Sequence, residues 1–228
     1  MEKAPKSKPS ALTDWTYQYL KKGILNLDFK PGEQLHIEDF TDKLEVSRTP
    51  VREAFLRLAN EGLIDVRPRV GYFVSEITEQ DIFDLFEARE IVETRAARHA
   101  AEALTDKELE MLKNIMQASS QAVDAGDYDG FLENEVKFHE YLQKHIHNKR
   151  LIAFMDSLND LTYRERVLST HSMENIKETL IEHNRIVDAL LVRDGEAASQ
   201  RMAEHLENVR ERLITFITKN PKINFQRR

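Results

Sequence analysis

The chain's 228 residues, 41% hydrophobic and 32% charged with only 7 Gly and 6 Pro, suffice for one or two ordinary cores and favour a helix-rich soluble protein. No apolar run approaches the roughly 20 residues of a membrane-spanning helix, and the start MEKAPKSKPS lacks the apolar segment of a signal peptide. A cytoplasmic protein with no membrane partner is therefore expected. The absence of cysteine excludes disulfides, thiolate metal sites and cysteine nucleophiles, so His and carboxylate remain as the ligands for any metal.

The net charge of −7 is unevenly placed. Residues 1–75 carry 12 Lys+Arg against 11 Asp+Glu, which leaves 21 against 29 of the chain's 33 and 40 for the remainder. A local positive face in the first part is compatible with an acidic protein.

Residues 1–10, almost devoid of apolar side chains, read as a disordered arm. From Leu12 the residues Trp15, Tyr19, Leu20 and Ile24 recur at helical spacing, and Pro31-Gly32 in FKPGEQL breaks the pattern. A short helix fits Ile37 to Leu44. EVSRTP is the turn after it, with Ser47 or Thr49 as an N-cap and Pro50 in the first turn of the next helix, where its missing N–H costs little. That third helix runs to about Asn60, stops at Gly62, and turns Val51, Ala54, Phe55 and Leu58 inward. Arg48 and Arg52 lie four apart on another face. After Gly62 come two β-prone segments, LIDVR and GYFVS, joined across Gly71. Helix, short helix, turn, helix and hairpin make a winged helix-turn-helix over 11–76. Such a module sets the N-terminal residues of its last helix against base edges and reaches the neighbouring backbone or minor groove with the hairpin. The same module elsewhere serves as a plain protein-interaction domain, but the arginines ahead of the apolar stripe favour DNA.

VSRTPVREAFLRLANEGLIDVRPRVGYFV, with KPGEQL upstream, resembles the GntR family of bacterial transcription regulators. The resemblance implies that Arg48, Thr49 and Arg52 contact phosphates and bases, and that the wing around Arg69 and Gly71 enters the minor groove. Two positions depart from the family pattern. Glu45 stands where Gly is usual, and Glu38 where some members carry a DNA-contacting Arg.

Residues 77–220 show no strand-like run, and 221–228 form a tail. Thr78 with Asp81 and Thr105 with Glu108 have the spacing of capping boxes, and six amphipathic segments follow at about 78–103, 106–124, 127–147, 150–169, 173–193 and 196–219. The expected fold is mainly α: an N-terminal winged helix-turn-helix followed by an antiparallel all-α helical bundle. His139 shares a stripe with Leu132, Glu135, Leu142 and Ile146; His183 lies among Leu180, Val187 and Leu190; His205 lies among Met202, Leu206 and Val209. Glu135, His139, His183 and His205 thus aim at the bundle axis, a donor set suited to a divalent transition ion, zinc or nickel, with open positions. An ordinary hydrogen-bonded polar core is the competing reading. His99 and His145 read as core histidines of that ordinary kind, and His36, His147 and His171 as surface or loop residues.

The second part is similar to the FCD effector domain of the FadR subgroup, in which many members hold a metal with an Asp, a His four residues later, and a His on each of two later helices. EVKFH, IEHNRIVDAL and MAEHL place Glu135, His139, His183 and His205 at the matching positions, with Glu135 for the usual Asp. Arg89, inward-facing on the first bundle helix, needs an anion: Glu93 one turn on, or a bound carboxylate. In similar regulators an Arg there faces the effector.

Two functions compete on this pattern. One is a ligand-responsive regulator, a repressor or activator and read first as a repressor, binding a palindromic double-stranded operator as a homodimer and a small organic acid in its bundle. The other is a metal-dependent enzyme built on the bundle. The one Glu-x-x-His spacing, Glu33 to His36, falls outside the bundle and no HExxH occurs, so regulation without catalysis is expected.

Overall fold

The protein's structure, a computed structural model, describes residues 9–170 and 172–220. Residues 1–8 of the expected arm, the tail 221–228 and His171 lie outside the described residues. The described chain falls into two compact units, one ending at Ile77 and one spanning Thr78–Lys219.

In the first unit α1 (Pro9–Leu25) begins inside the expected arm, whose residues 9 and 10 are helical. β1 (Gln34–Leu35), α2 (Ile37–Leu44), α3 (Arg48–Asn60), β2 (Ile64–Arg67) and β3 (Gly71–Val74) follow. The sheet order is β1-β3-β2 and all pairing is antiparallel, with Val66 opposite Tyr72 and Gln34 opposite Phe73. The periodicity reading anticipates the β2–β3 hairpin but not β1, which is too short to show a pattern and exists only because β3 offers an edge.

The core gathers Leu20, Ile24, Phe40, Val51, Phe55, Leu58 and Val74. A run of rings, Phe29 to Phe40 at 5.3 Å, Phe40 to Phe55 at 5.7 Å and Phe55 to Tyr72 at 4.8 Å, links the loop after α1 to the wing. Gly23 is required by this packing, since a Cβ there would overlap the Phe29 ring.

The second unit consists of α4 (Glu79–Ala103), α5 (Asp106–Ala125), α6 (Tyr128–Gln143), α7 (Lys149–Ser169), α8 (Met173–Leu191) and α9 (Gly195–Lys219). Both expected capping boxes form, Thr78 with Asp81 and Thr105 with Glu108. α4 and α9 run antiparallel. Gly195 at the start of α9 approaches Arg98 so closely that a Cβ would sit 2.9 Å from its carbonyl oxygen, and Thr218 at the other end donates to Glu79 at 2.9 Å. α8 and α9 are antiparallel as well, with Arg212 reaching Thr179 and Asn208 reaching Glu182. In α5 and α6 the end of one meets the start of the other, through His145 and Glu108 at 3.3 Å.

Two expectations are corrected. α6 ends at Gln143 rather than 147: a tight turn, with the Ile146 N–H on the Gln143 carbonyl, carries Ile146 into a cluster with Val92, Ala96 and Met155. His99 is exposed rather than a core residue, because the buried side of α4 passes through Ala96, Ala97, Ala100 and Ala101. His145, half-buried and bonded to the Tyr141 carbonyl and Glu108, is hydrogen-bonded as expected. His36 and His147 are exposed.

Candidate metal centre and nucleic-acid interface

α2, the turn Glu45–Ser47 and α3 form the helix-turn-helix. The turn requires a left-handed residue, and Glu45 supplies it at φ 54°, ψ 41° with its N–H on the Thr41 carbonyl. Ser47 takes the N-cap position of α3 without a side-chain cap bond. Thr49 and Arg52 are exposed at the start of α3, while Arg48 carries an exposed ion pair to Glu38 at 3.1 Å. Pairs so exposed are worth about 0–1 kcal/mol, so Arg48 can exchange Glu38 for phosphate. At the wing tip Arg69 is exposed at φ 63° and Gly71 has φ 143°, a conformation open to glycine. Arg48, Thr49 and Arg52 therefore share the first turns of α3, and Arg69 and Gly71 occupy the hairpin turn of the same unit.

In the bundle Glu135 and His139 sit on α6, His183 on α8 and His205 on α9. All four are buried, and one ligand atom from each lies within 4.8 Å of the others. His139 Nε2 is 3.2 Å from Glu135 Oε1, His183 Nε2 is 3.4 Å from Glu135 Oε2, and the Nε2 atoms of His183 and His205 are 3.3 Å apart. Bonds of about 2.0–2.1 Å to one ion would set neighbouring donors about 3.0–3.4 Å apart. Burial pushes His183 and His205 below the usual histidine range, which favours the neutral, metal-competent imidazole. Burial pushes Glu135 up, but His183, His139 and Arg166 outweigh it and hold the carboxyl well below its ordinary value.

The other ring nitrogens settle which way the donors face. His139 Nδ1 bonds Glu93, and His205 Nδ1 bonds Glu182 at 2.8 Å. Each carboxylate accepts the Nδ1 proton and leaves the Nε2 lone pair directed at the centre. The His183 ring is held by stacking on Phe138 at 4.1 Å. Glu93 is in turn held by Arg89 at 2.8 Å, and Glu182 by Arg212 and Asn208. Two acceptors then face inward with nothing to accept from: Glu135 Oε2 and His139 Nε2 are buried without a hydrogen-bond partner. Lone pairs converging in a buried space call for a cation, and the donor set fits one.

Arg89 is buried and takes the first of its two expected anions, Glu93, so that it acts through Glu93 on His139. A second buried arginine, Arg166 on α7, escapes the sequence reading. Its Nε is 3.7 Å from Glu135 Oε1, and Nε and Nη2 make no hydrogen bond. The run TYRERV alternates charges in a way that resembles a solvated face, yet Thr162, Arg164, Glu165 and Arg166 are all buried. The bonds of Glu93 to His139 and of Glu182 to His205 escape it too, since they cross between helices.

A winged helix-turn-helix followed in the same chain by a helical bundle defines a class of DNA-binding regulator. Comparison with known proteins agrees. The model of the bacterial regulatory proteins of the gntR family matches residues 12–74, and that of the FCD domain matches residues 84–208. The HTH-type transcriptional regulator YdhC of Bacillus subtilis (strain 168) is 30% identical over 86% of this chain and 88% of its own. The HTH-type transcriptional repressor RspR of Escherichia coli (strain K12) is 29% identical over 86% of each. Among solved structures, a GntR protein from Rhodococcus sp. RHA1 superposes with a TM-score of 0.75 at 25% identity, covering 89% of this chain and 97% of that one.

The chain belongs to the GntR family of bacterial regulatory proteins and carries an FCD domain: it is a DNA-binding transcriptional regulator, not an enzyme. FCD domains often bind metals, and this one has a buried cluster able to. Among the described residues no helix is long and apolar enough to cross a membrane.

Proposed function

We propose that the protein is a cytoplasmic, ligand-responsive repressor that acts as a homodimer on a palindromic double-stranded operator, its bundle holding zinc or nickel together with a small carboxylate effector. One recognition helix reads only a few base pairs, whereas a two-fold dimer reads two half-sites. Arg48, Thr49 and Arg52 are the groups for phosphates and base edges, and Arg69 with Gly71 those for the minor groove. RspR, a relative of similar length, is named a repressor.

Glu135, His139, His183 and His205 are the ligands in this reading. When bound, the ion supplies a Lewis-acidic positive centre. The chain's own groups prepare for it: Glu93 and Glu182 fix two imidazoles in one tautomer, and Arg89 and Arg212 keep those carboxylates ionised. Arg89 and Arg166 add a positive field on the α4 and α7 side, which favours an anionic guest. The observation that carries the reading is the pair of inward acceptors without a hydrogen bond, Glu135 Oε2 and His139 Nε2, beside Arg166, whose Nε and Nη2 make none either.

The test is selection of DNA from a random pool by the zinc-loaded protein, followed by fluorescence anisotropy with two- to six-carbon carboxylates. Palindromic DNA should be recovered, and one carboxylate should change its Kd by about 5–150-fold. A neutral or cationic metabolite acting instead, or indifference to every carboxylate, contradicts the effector assignment.

A further inference from the structure

The wing tip is a turn that its own backbone does not favour. The Val70 N–H donates to the Arg67 carbonyl at 3.0 Å, which makes Pro68 and Arg69 the central residues of a β-turn. A proline at the first of these positions and φ 63° at the second are the pattern of a type II turn, whose second central residue is ordinarily Gly or Asn. An arginine held in the left-handed region persists where neighbouring structure over-determines it.

Gln34 supplies such a tie from β1. Its Nε2 donates to the Val70 carbonyl at 3.2 Å, joining the tip to a strand 36 residues earlier in the chain. That strand is itself anchored: the Val74 carbonyl accepts from the Gly32 N–H at 2.8 Å, the Val74 N–H donates to the Glu33 carbonyl at 2.9 Å, and Leu35 is buried. Gly71 makes room for the reach, since a Cβ there would lie 3.0 Å from Gln34 Nε2. The other arginine of the hairpin is drawn back from the tip, with Arg67 stacked over the Phe73 ring at 4.0 Å and 3.8 Å from Glu76. Arg69, exposed at the turn, is left as the cation the tip presents.

We infer that Gln34 is a positioning residue for DNA recognition: its amide, bonded to the Val70 carbonyl, holds the wing turn in the shape from which Arg69 enters the minor groove. The inference rests on the minor-groove reading of Arg69 and adds to it the residue that orders the tip before DNA arrives. A turn already ordered in the free protein spares the complex that ordering cost. One net hydrogen bond of this kind corresponds to about 2–10-fold in affinity.

A double-mutant cycle on the full chain tests it, with Gln34→Met, which keeps the length of the side chain and removes the donor, and Arg69→Ala, read by fluorescence anisotropy on DNA selected by the wild type. Arg69→Ala should weaken binding by about 5–150-fold. Gln34→Met should weaken it by about 2–10-fold in the wild-type background, and by less than about 1.5-fold once Arg69 is gone. In the free protein, hydrogen exchange followed by mass spectrometry should show faster exchange over residues 67–72 in Gln34→Met. An equal loss in both backgrounds overturns the inference, because Gln34 then touches DNA itself or supports the unit in general. Unchanged affinity or unchanged exchange in Gln34→Met overturns it as well, and leaves the wing reading standing if Arg69→Ala still weakens binding. If Arg69→Ala has no effect, the inference and the minor-groove reading fall together.

Discussion

Replacing Glu165 by glutamine should stabilise the bundle, and only above mildly acidic pH. Burial pushes the Glu165 carboxyl up from 4.5 to about 7, against the lowering influence of Arg164 and Arg89. The unfolded chain releases this proton near 4.5 and the folded chain near 7. Below 4.5 both states hold the proton and the group is neutral to stability; between 4.5 and 7 the unfolded state alone ionises and gains on the folded one. Stability contributed by the protonated form is thus lost as pH rises through that window, at about 1.4 kcal/mol per unit, for a total of about 3 kcal/mol at pH 8. Glutamine keeps the shape and cannot ionise. Chemical denaturation of the metal-stripped protein, followed by helical circular dichroism, should show the variant and wild type within about 1 kcal/mol of each other at pH 5. At pH 8 the variant should lead by about 3 kcal/mol. The single Trp, Trp15, lies in α1 of the other unit, so its fluorescence cannot follow this transition. The difference between the two proteins cancels every other titrating group. An equal gap at pH 5 and pH 8 would refute the reasoning.

Glu45→Gly should stabilise the winged helix by about 0.5–1 kcal/mol, since relief of a left-handed non-glycine residue exceeds the entropy that glycine adds to the unfolded chain; denaturation followed by Trp15 fluorescence measures it. Arg48→Ala and Arg52→Ala should each weaken selected DNA by about 1–3 kcal/mol where a base is read, or flatten the salt slope where a phosphate is held. If both variants keep affinity and slope, α3 is not the reading helix. Zinc at about 1,000 times its Kd should add about 4 kcal/mol to bundle stability, and His183→Ala should abolish the shift. Glu182→Gln removes the charged acceptor of the His205 Nδ1 proton and should weaken zinc binding by about 10–100-fold in a competition titration with a chromophoric chelator.

The sequence was informative where the pattern is local. The α3 stripe, the two capping boxes and the i, i+4 pair Glu135/His139 all lie within a few residues and obey helical geometry. The inward placement of His183 and His205 was legible too, because their neighbours in the helical period are apolar. What was not legible depends on which helix meets which. Glu182 precedes His183 in the chain yet bonds His205 across α8 and α9, and Glu93 on α4 bonds His139 on α6. The burial of Thr162, Arg164, Glu165 and Arg166 in TYRERV on α7 was not legible for the same reason, since the packing of neighbouring helices alone decides it. His99 failed in the opposite direction, as an imidazole between alanines that the turn of α4 leaves outside. β1 has two residues and no pattern of its own.

The central claim, that the buried donors of the bundle hold a divalent ion, is tested most directly by elemental analysis of the gently purified full-length chain. The account predicts close to one equivalent of zinc or nickel per chain, lost when His183 and His205 are both replaced by alanine. A metal-free protein that takes up neither ion from a stoichiometric mixture at neutral pH would contradict it, and Glu135, His139, His183 and His205 would then form an ordinary polar core.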